Sequence, residues 1–455
     1  MENKEKNMSV KENKMGTMPI EKLLISMSLP MMISMLVQAL YNIVDSIFVA
    51  QVDEYAVRAV SLSFPIQSLM IAVAVGTAVG INALLSRFLG EKEFDKVNRV
   101  AENGVFVAII CYLIFALVGV TVVTSFMNSQ TDVLKVREYG VSYLTICCTC
   151  SLGIFIQVTF ERLLQATGKT FYTMITQGVG AIINIILDPI LIFGLFGLPR
   201  MEVAGAAVAT VAGQLVAAAV AMFFHFKFNH EVKMKWKGFC PSLSVIGQIY
   251  AVGAPSIVVQ AIGSVMTYGM NLILSAYGVA QTVFGLYFKL QSFVFMPVFG
   301  LNNGMVPIVA YNYGAGKKER VIETIKRAVY LAVGIMLFGL IIMELFPAQL
   351  LQMFNATPEL LSVGVPALRI ICLSFVFAGF CIVAGSVFQA LGNGVYSMIV
   401  SIARQLVVLL PVAYLLSLTG SVVNIWWAFP IAEIMSVAMS FYFLIRINKK
   451  VIRNI

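Results

Sequence analysis

Four acidic residues stand inside long apolar runs of this 455-residue chain: Asp45, Glu161, Asp188 and Glu433. A charged group within a bilayer costs roughly 2.5–3.5 kcal/mol or more, so such residues mark ion pathways, proton relays or substrate contacts. Three of the four sit on polar stripes at helical spacing. Gln38, Tyr41 and Asp45 lie at i, i+3 and i+7, Gln157 and Glu161 at i and i+4, and Gln177, Asn184 and Asp188 at i, i+7 and i+11. Pro189 follows Asp188 directly, and a proline has no N–H and loosens the helix before it. A carboxylate beside loosened carbonyls suits H⁺ or Na⁺. Asp45, Asn184 and Asp188 are therefore the candidate cation-handling set. Gln38, Tyr41, Gln157, Glu161 and Gln177 are the candidate polar lining of a substrate cleft, and the three stripes are expected to converge on one water-filled pocket. Arg162, next to Glu161, is a candidate neutralising neighbour. Glu433 reads as structural, with Arg404 on the preceding span as its expected partner.

The elements that position these groups follow from composition. The chain is 60% hydrophobic and only 12% charged, against about 45–50% and 25% in soluble domains. That excludes a water-soluble enzyme. Apolar runs bounded by charge and turn signals give twelve membrane-spanning helices, near 22–50, 58–86, 100–126, 138–162, 170–195, 203–227, 244–277, 280–310, 326–346, 360–388, 396–418 and 422–446. The stretch 1–19, mixed Lys, Glu, Asn and Met, reads as a disordered tail with no cleavable signal. The expected organisation is a cytoplasmic tail over 1–19, an N-terminal six-helix lobe over 20–229, a cytoplasmic inter-lobe loop over 230–243 carrying Lys233, Lys235 and Lys237, a C-terminal lobe over 244–446 and a cytoplasmic tail over 447–455.

Charge then orients the chain. Of 31 Lys and Arg, 23 fall in the N-terminal tail, alternate connections and the C-terminus, while the opposite side carries only Arg58, Lys135, Arg137 and Arg200. Positive charge favours the cytoplasmic side, so both termini are expected there, in a multi-pass protein of the cell membrane. The same argument explains the net charge of +9 without nucleic acid.

The two halves repeat. Gln165-Ala166-Thr167-Gly168 returns as Gln389-Ala390-Leu391-Gly392, at an offset of 224. The same offset carries Tyr172-x-Met174-Ile175 onto Tyr396-x-Met398-Ile399 and Gly76/Gly80 onto Gly300/Gly304. Pro30 and Pro255 lie 225 apart, and Leu89-Gly90-x-Lys92 and Ala315-Gly316-x-Lys318 lie 226 apart. Six spans per half is an even number, so the repeat is parallel, and a duplicated twelve-helix protein implies a cleft between the halves near the midplane. The paired glycines read as close helix contacts.

These residues carry a resemblance. Leu29-Pro30, Asn42-x-x-Asp45-Ser-x-Phe48-Val49, Ser86-Arg87-x-Leu89-Gly90-Glu91-Lys92, and Asn184-x3-Asp188-Pro189 followed by Gly205-Ala206-Ala207-x-Ala209-Thr210 closely resemble the multidrug and toxic compound extrusion (MATE) transporters, over about residues 20–446. The resemblance implies an all-α integral membrane protein, two six-helix lobes in a V, exporting cationic amphipathic compounds in exchange for H⁺ or Na⁺. It places an N-lobe cation site on Asp45, Asn184, Asp188 and Thr210, and matches Glu161 to a polar cleft position that is also Glu in MepA-like members. The NorM-like branch carries acids in its seventh and tenth spans; those spans lack them here, so the MepA/DinF-like branch fits better.

The function expected is a cation-coupled efflux antiporter working by alternating access, without an organic cofactor or a resident metal beyond the coupling H⁺ or Na⁺. Its partners would be the lipid bilayer and cationic drugs, dyes or biocides met by an adaptable wall drawn from 24 Met and 32 Phe, and the chain is expected to be a monomer that binds no nucleic acid. The alternative is a lipid-linked oligosaccharide flippase of a related fold, which would need more basic residues in its cavity than Lys289, Arg369 and Arg404. An integral-membrane enzyme would need a nucleophile triad, a metal cluster or a phosphate loop. The two histidines, His225 and His230, end a span and fit none of these.

Overall fold

A computed structural model describes residues 12–354 and 356–454. The expected tail therefore falls largely on residues 1–11, outside the described part. Residues 12–19 depart from the expectation of a disordered tail, because Lys14–Thr17 form one helical turn with Met15 fully buried.

Every regular element among the described residues is helical. In the first half the principal ones are α1 (Ile20–Ala50), α2 (Glu54–Gly90), α3 (Phe94–Thr121), α4 (Leu134–Thr149), α5 (Leu152–Ala166), α6 (Thr170–Phe193) and α7 (Glu202–Phe228). In the second they are α8 (Leu243–Leu274), α9 (Ala280–Gly314), α10 (Lys318–Leu345), α11 (Pro358–Cys372), α12 (Phe375–Ala390), α13 (Gly394–Ile402), a π-helical segment (Ala403–Leu409), α14 (Leu410–Ser417) and α15 (Ala428–Lys450). Ten stretches are long and apolar enough to span a membrane alone, α13 to α14 counting as one and α15 with the turn before it as another. Two bent pairs complete twelve: α4–α5, at 45°, and α11–α12, at 49°.

Hydropathy alone reads each of these two spans as one straight helix. At both breaks a hydroxyl competes for the helical carbonyls. Thr149 Oγ1 donates to the Thr145 carbonyl at 2.6 Å, and Ser374 Oγ to the Ile371 carbonyl at 2.6 Å. Such back-bonding bends helices. Cys150 and Ser374, related by the same offset of 224, occupy the two breaks, so the bend itself is duplicated.

The repeated Gln-Ala-x-Gly motif proves to be a helix stop. Gly168 and Gly392 have φ of +83° and +77°, and the next residues, Lys169 and Asn393, donate back to the carbonyls of Leu164 and Phe388 at 2.8 and 2.7 Å. This is the glycine-dependent end that satisfies the last helical carbonyls. The paired glycines take the close-contact role: a Cβ on Gly80 would strike the Ile249 backbone across the lobe boundary, and one on Gly304 would strike Ser28. α2 therefore packs on α8, and α9 on α1.

The lobes meet along the end rich in basic residues. There the segment 12–18 is strapped across both. Asn13 Nδ2 donates to the Thr167 carbonyl at 3.1 Å and to Glu231 at 2.7 Å. From the other lobe, Asn312 Nδ2 donates to the Met15 carbonyl at 2.9 Å, and Arg320 Nη2 to the carbonyls of Met15 and Met18 at 2.9 and 2.8 Å. The linker between α7 and α8 runs without helix across α3, its amides at Lys233, Lys235 and Ser242 donating to Asn98, Glu102 and Asn103.

Candidate functional site

α6 is the spine of the site, and Pro189 sits near its C-terminal end. The polar stripe on α6 meets its neighbours at two heights. Gln177 and Asn184 stand at i and i+7, about 10 Å apart along the helix. The expected single pocket therefore resolves into two clusters.

The deeper cluster joins α1, α6 and α7. Asp188 is fully buried, Asn184 nearly so, and Asp45 and Thr210 half-buried. The carboxyls of Asp45 and Asp188 lie within hydrogen-bond reach of each other. Asn184 links them to α7. With its amide set so that every contact is satisfied, it donates to Asp188 Oδ2 at 3.1 Å and accepts from the backbone N–H and the hydroxyl of Thr210, each at 3.2 Å. The Oδ1 atoms of both acids are buried without a hydrogen-bond donor. Tyr41, one turn from Asp45 on α1, lies within electrostatic range of both acids. Small residues let α7 approach: a Cβ on Gly213 would meet the Gly180 carbonyl at 2.8 Å.

The second cluster surrounds Glu161, which is only 3% exposed. Gln157 Nε2 donates to its Oε1 at 2.9 Å and Gln177 Nε2 to its Oε2 at 2.8 Å, while the Thr173 hydroxyl reaches its backbone carbonyl at 3.4 Å. A buried carboxylate between two amides, with no cation in contact with it among the described residues, can receive a positively charged group. Arg162 does not neutralise it by an ion pair. Its guanidinium turns away, donating to Gln165 at 2.8 Å and, across the lobe boundary, to Asn303 at 2.9 Å. Successive helical side chains diverge by about 100°, so a sequence neighbour is seldom a contact. Gln38 stands apart from both clusters as an exposed side chain on α1.

Two residues near the acids have no counterpart among the sequence candidates. Tyr143 on α4 is 3% exposed, accepts a hydrogen bond from Gln67 Nε2 of α2 at 3.2 Å and lies within electrostatic range of Asp45. Uncharged polar residues in these spans give no strong signal, because both spans carry several of them and nothing in the sequence sets these two apart. In the C-lobe the expected partnership holds, with Arg404 Nη1 3.2 Å from Glu433 Oε2.

The MatE family matches twice, over residues 30–190 and again over 255–415, once for each half. The chain belongs to the MatE family. The two MatE matches start 225 apart, which is the internal repeat read from the prolines. Among its relatives, the multidrug export protein MepA of Staphylococcus haemolyticus (strain JCSC1435) is 27% identical over 416 residues, covering 91% of each chain. MepA of Staphylococcus aureus (strain bovine RF122 / ET3-1) is 26% identical over 422 residues, again 91% of each. The fold is that of solved MATE structures. An outward-facing multidrug resistance MATE family transporter superposes with a TM-score of 0.92 at 24% identity, covering 98% of this chain and 99% of that one. A MOP superfamily transporter from Pyrococcus furiosus, described as having a binding pocket of reversed polarity, gives 0.90 at 24% identity over 96% and 98%. This MatE chain is thus a multi-span membrane transporter of two six-helix lobes.

Proposed function

We propose that the chain is a multidrug efflux antiporter that exports cationic amphipathic compounds across the cell membrane in exchange for H⁺ or Na⁺. The observation that carries this reading is the pair Asp45 and Asp188. Two carboxyls in mutual hydrogen-bond reach, inside membrane helices and each with a buried oxygen lacking a donor, cannot both stay charged and bare. A shared proton or a bound Na⁺ relieves their repulsion. Asn184 and Thr210 fix one side of the pair and would complete an oxygen-rich cage for Na⁺.

The exchange follows from competition. With H⁺ or Na⁺ bound, the N-lobe acids are satisfied and drug is released; when the ion leaves, their charge and that of Glu161 favour a cationic drug. Tyr41, Gln157 and Gln177 line the path beside these acids, and Gln38 lies on the same helix face as Tyr41 and Asp45, further along α1. The relatives named multidrug export protein support the cargo class. The contact of the lobes at the basic end supports a form closed towards the cytoplasm. Rocking of one lobe against the other would open that end.

The test is transport of a cationic dye into and out of proteoliposomes under an imposed pH gradient or Na⁺ gradient, applied separately. One gradient should drive export and the other should not; export unaffected by both would refute antiport.

A further inference from the structure

The C-lobe carries its own buried carboxylate between the spans that correspond to α6 and α7. Glu433 on α15 is 5% exposed, and its Oε2 and Oε1 lie 3.2 and 3.5 Å from Arg404 Nη1. Arg404 belongs to the π-helical segment Ala403–Leu409, a wide-turn stretch closed by Pro411, which has no N–H to give. Segments of this kind occur mainly as local insertions at functional places.

The repeat shows what has been exchanged. The offset of 224 sets Val408, Val412 and Ile434 in the places of Asn184, Asp188 and Thr210, and the offset of 225 sets Met270 in the place of Asp45. Every polar member of the N-lobe site is apolar in the C-lobe. The ion pair stands at the same crossing, Glu433 adjoining Ile434 and Arg404 one turn before Val408. Gly180 and Ala209 hold the matching N-lobe positions. The titratable groups facing the pair are the Tyr287 phenol from α9 and the Cys381 thiol from α12, and the hydroxyls of Ser436 and Ser440 on α15 lie beside that thiol. Arg404 is the one cation named among them.

We infer that Arg404 is a built-in counter-ion, which fills the C-lobe's cation position permanently and confines ion exchange to the N-lobe. A guanidinium does not lose its proton in a protein and is tethered to its helix. Glu433 is therefore neutralised without any ion entering or leaving. Each transport cycle then has one exchangeable cation site, at Asp45 and Asp188, and this consequence rests on the antiport reading above.

The experiment uses the purified full-length chain. Arg404→Met leaves Glu433 without its partner, and Arg404→Met/Glu433→Gln removes both charges. Bound H⁺ is counted by indicator titration and bound Na⁺ with the radiolabelled ion, each against the unsubstituted protein. Arg404→Met should bind one additional H⁺ or Na⁺ per chain, and the double variant should lose that gain. In proteoliposomes the double variant should also keep the ion-to-dye ratio of the unsubstituted protein for ethidium. A folded Arg404→Met with no additional ion, or a folded double variant with an altered ratio, overturns the inference. Should Arg404→Met fail to fold, the ratio in the double variant decides alone. Failure of the antiport reading would look different: the unsubstituted protein would export nothing under either gradient, while the ion count would still report on Arg404.

Discussion

Asp45 and Asp188 form one unit with Asn184, because the amide bonds Asp188 and Thr210 together. Groups that share partners lose additivity when mutated. Asn184→Ala should therefore lower coupled export by itself, yet add little to Asp188→Asn; full multiplication of the two losses, measured as dye efflux rates, would separate them. Glu161 should act differently. Glu161→Gln keeps the shape and removes the charge, with one facing amide, such as that of Gln177, turning its oxygen to the new NH2, so it should weaken export of cationic dyes several-fold more than export of zwitterionic drugs at equal protein abundance. Equal losses would assign Glu161 to structure. These acids were legible in the sequence because an ionisable residue inside an apolar run has few ordinary explanations. Tyr143 and Gln67 were not, since their role depends on α4 and α2 meeting beside Asp45. Arg162 misled because adjacency in sequence suggested a pairing that the helix directs elsewhere.

At the scale of elements, the strap over residues 12–18 ties the two lobes at the basic end. Arg320 holds two of its carbonyls, and charge-assisted bonds of this kind contribute about 1.5–3 kcal/mol. Arg320→Ala should thus shift the population by about tenfold towards a form open at that end. Pulsed electron resonance distances between spin labels at Glu93 and Lys318 would show the longer separation gaining weight; an unchanged distribution would mean the strap does not restrain the lobes. The Glu12 carboxyl is held below its ordinary value, chiefly by the hydrogen bond from Lys317. That contribution is complete above the unfolded carboxylate range and is lost as pH falls through the lowered value. Helix number and the repeat were readable from hydropathy and spacing, but the strap was not, because a short polar segment becomes ordered only where two lobes offer it donors. Nor were the bends at Cys150 and Ser374, where a hydroxyl contact accompanies each break but the same kind of contact also occurs within unbroken helices.

At the scale of the molecule, two parallel six-helix halves carry different buried charges, Asp45 and Asp188 in the N-lobe and the Arg404–Glu433 pair in the C-lobe, and the proposed division of labour assigns ion exchange to the first alone. The 23-to-4 charge bias fixes an expected orientation: epitope tags at residues 3 and 454 should both be reached only from the cytoplasm, and either one found outside would break the twelve-span count. The whole scheme turns on whether Asp188 must change its charge during the cycle. Asp188→Asn imitates the protonated acid permanently, so the variant reconstituted in proteoliposomes should still bind a cationic dye weakly while gradient-driven export stops. Full export driven by the pH or Na⁺ gradient in Asp188→Asn would contradict the account and move the coupling site away from the N-lobe acids.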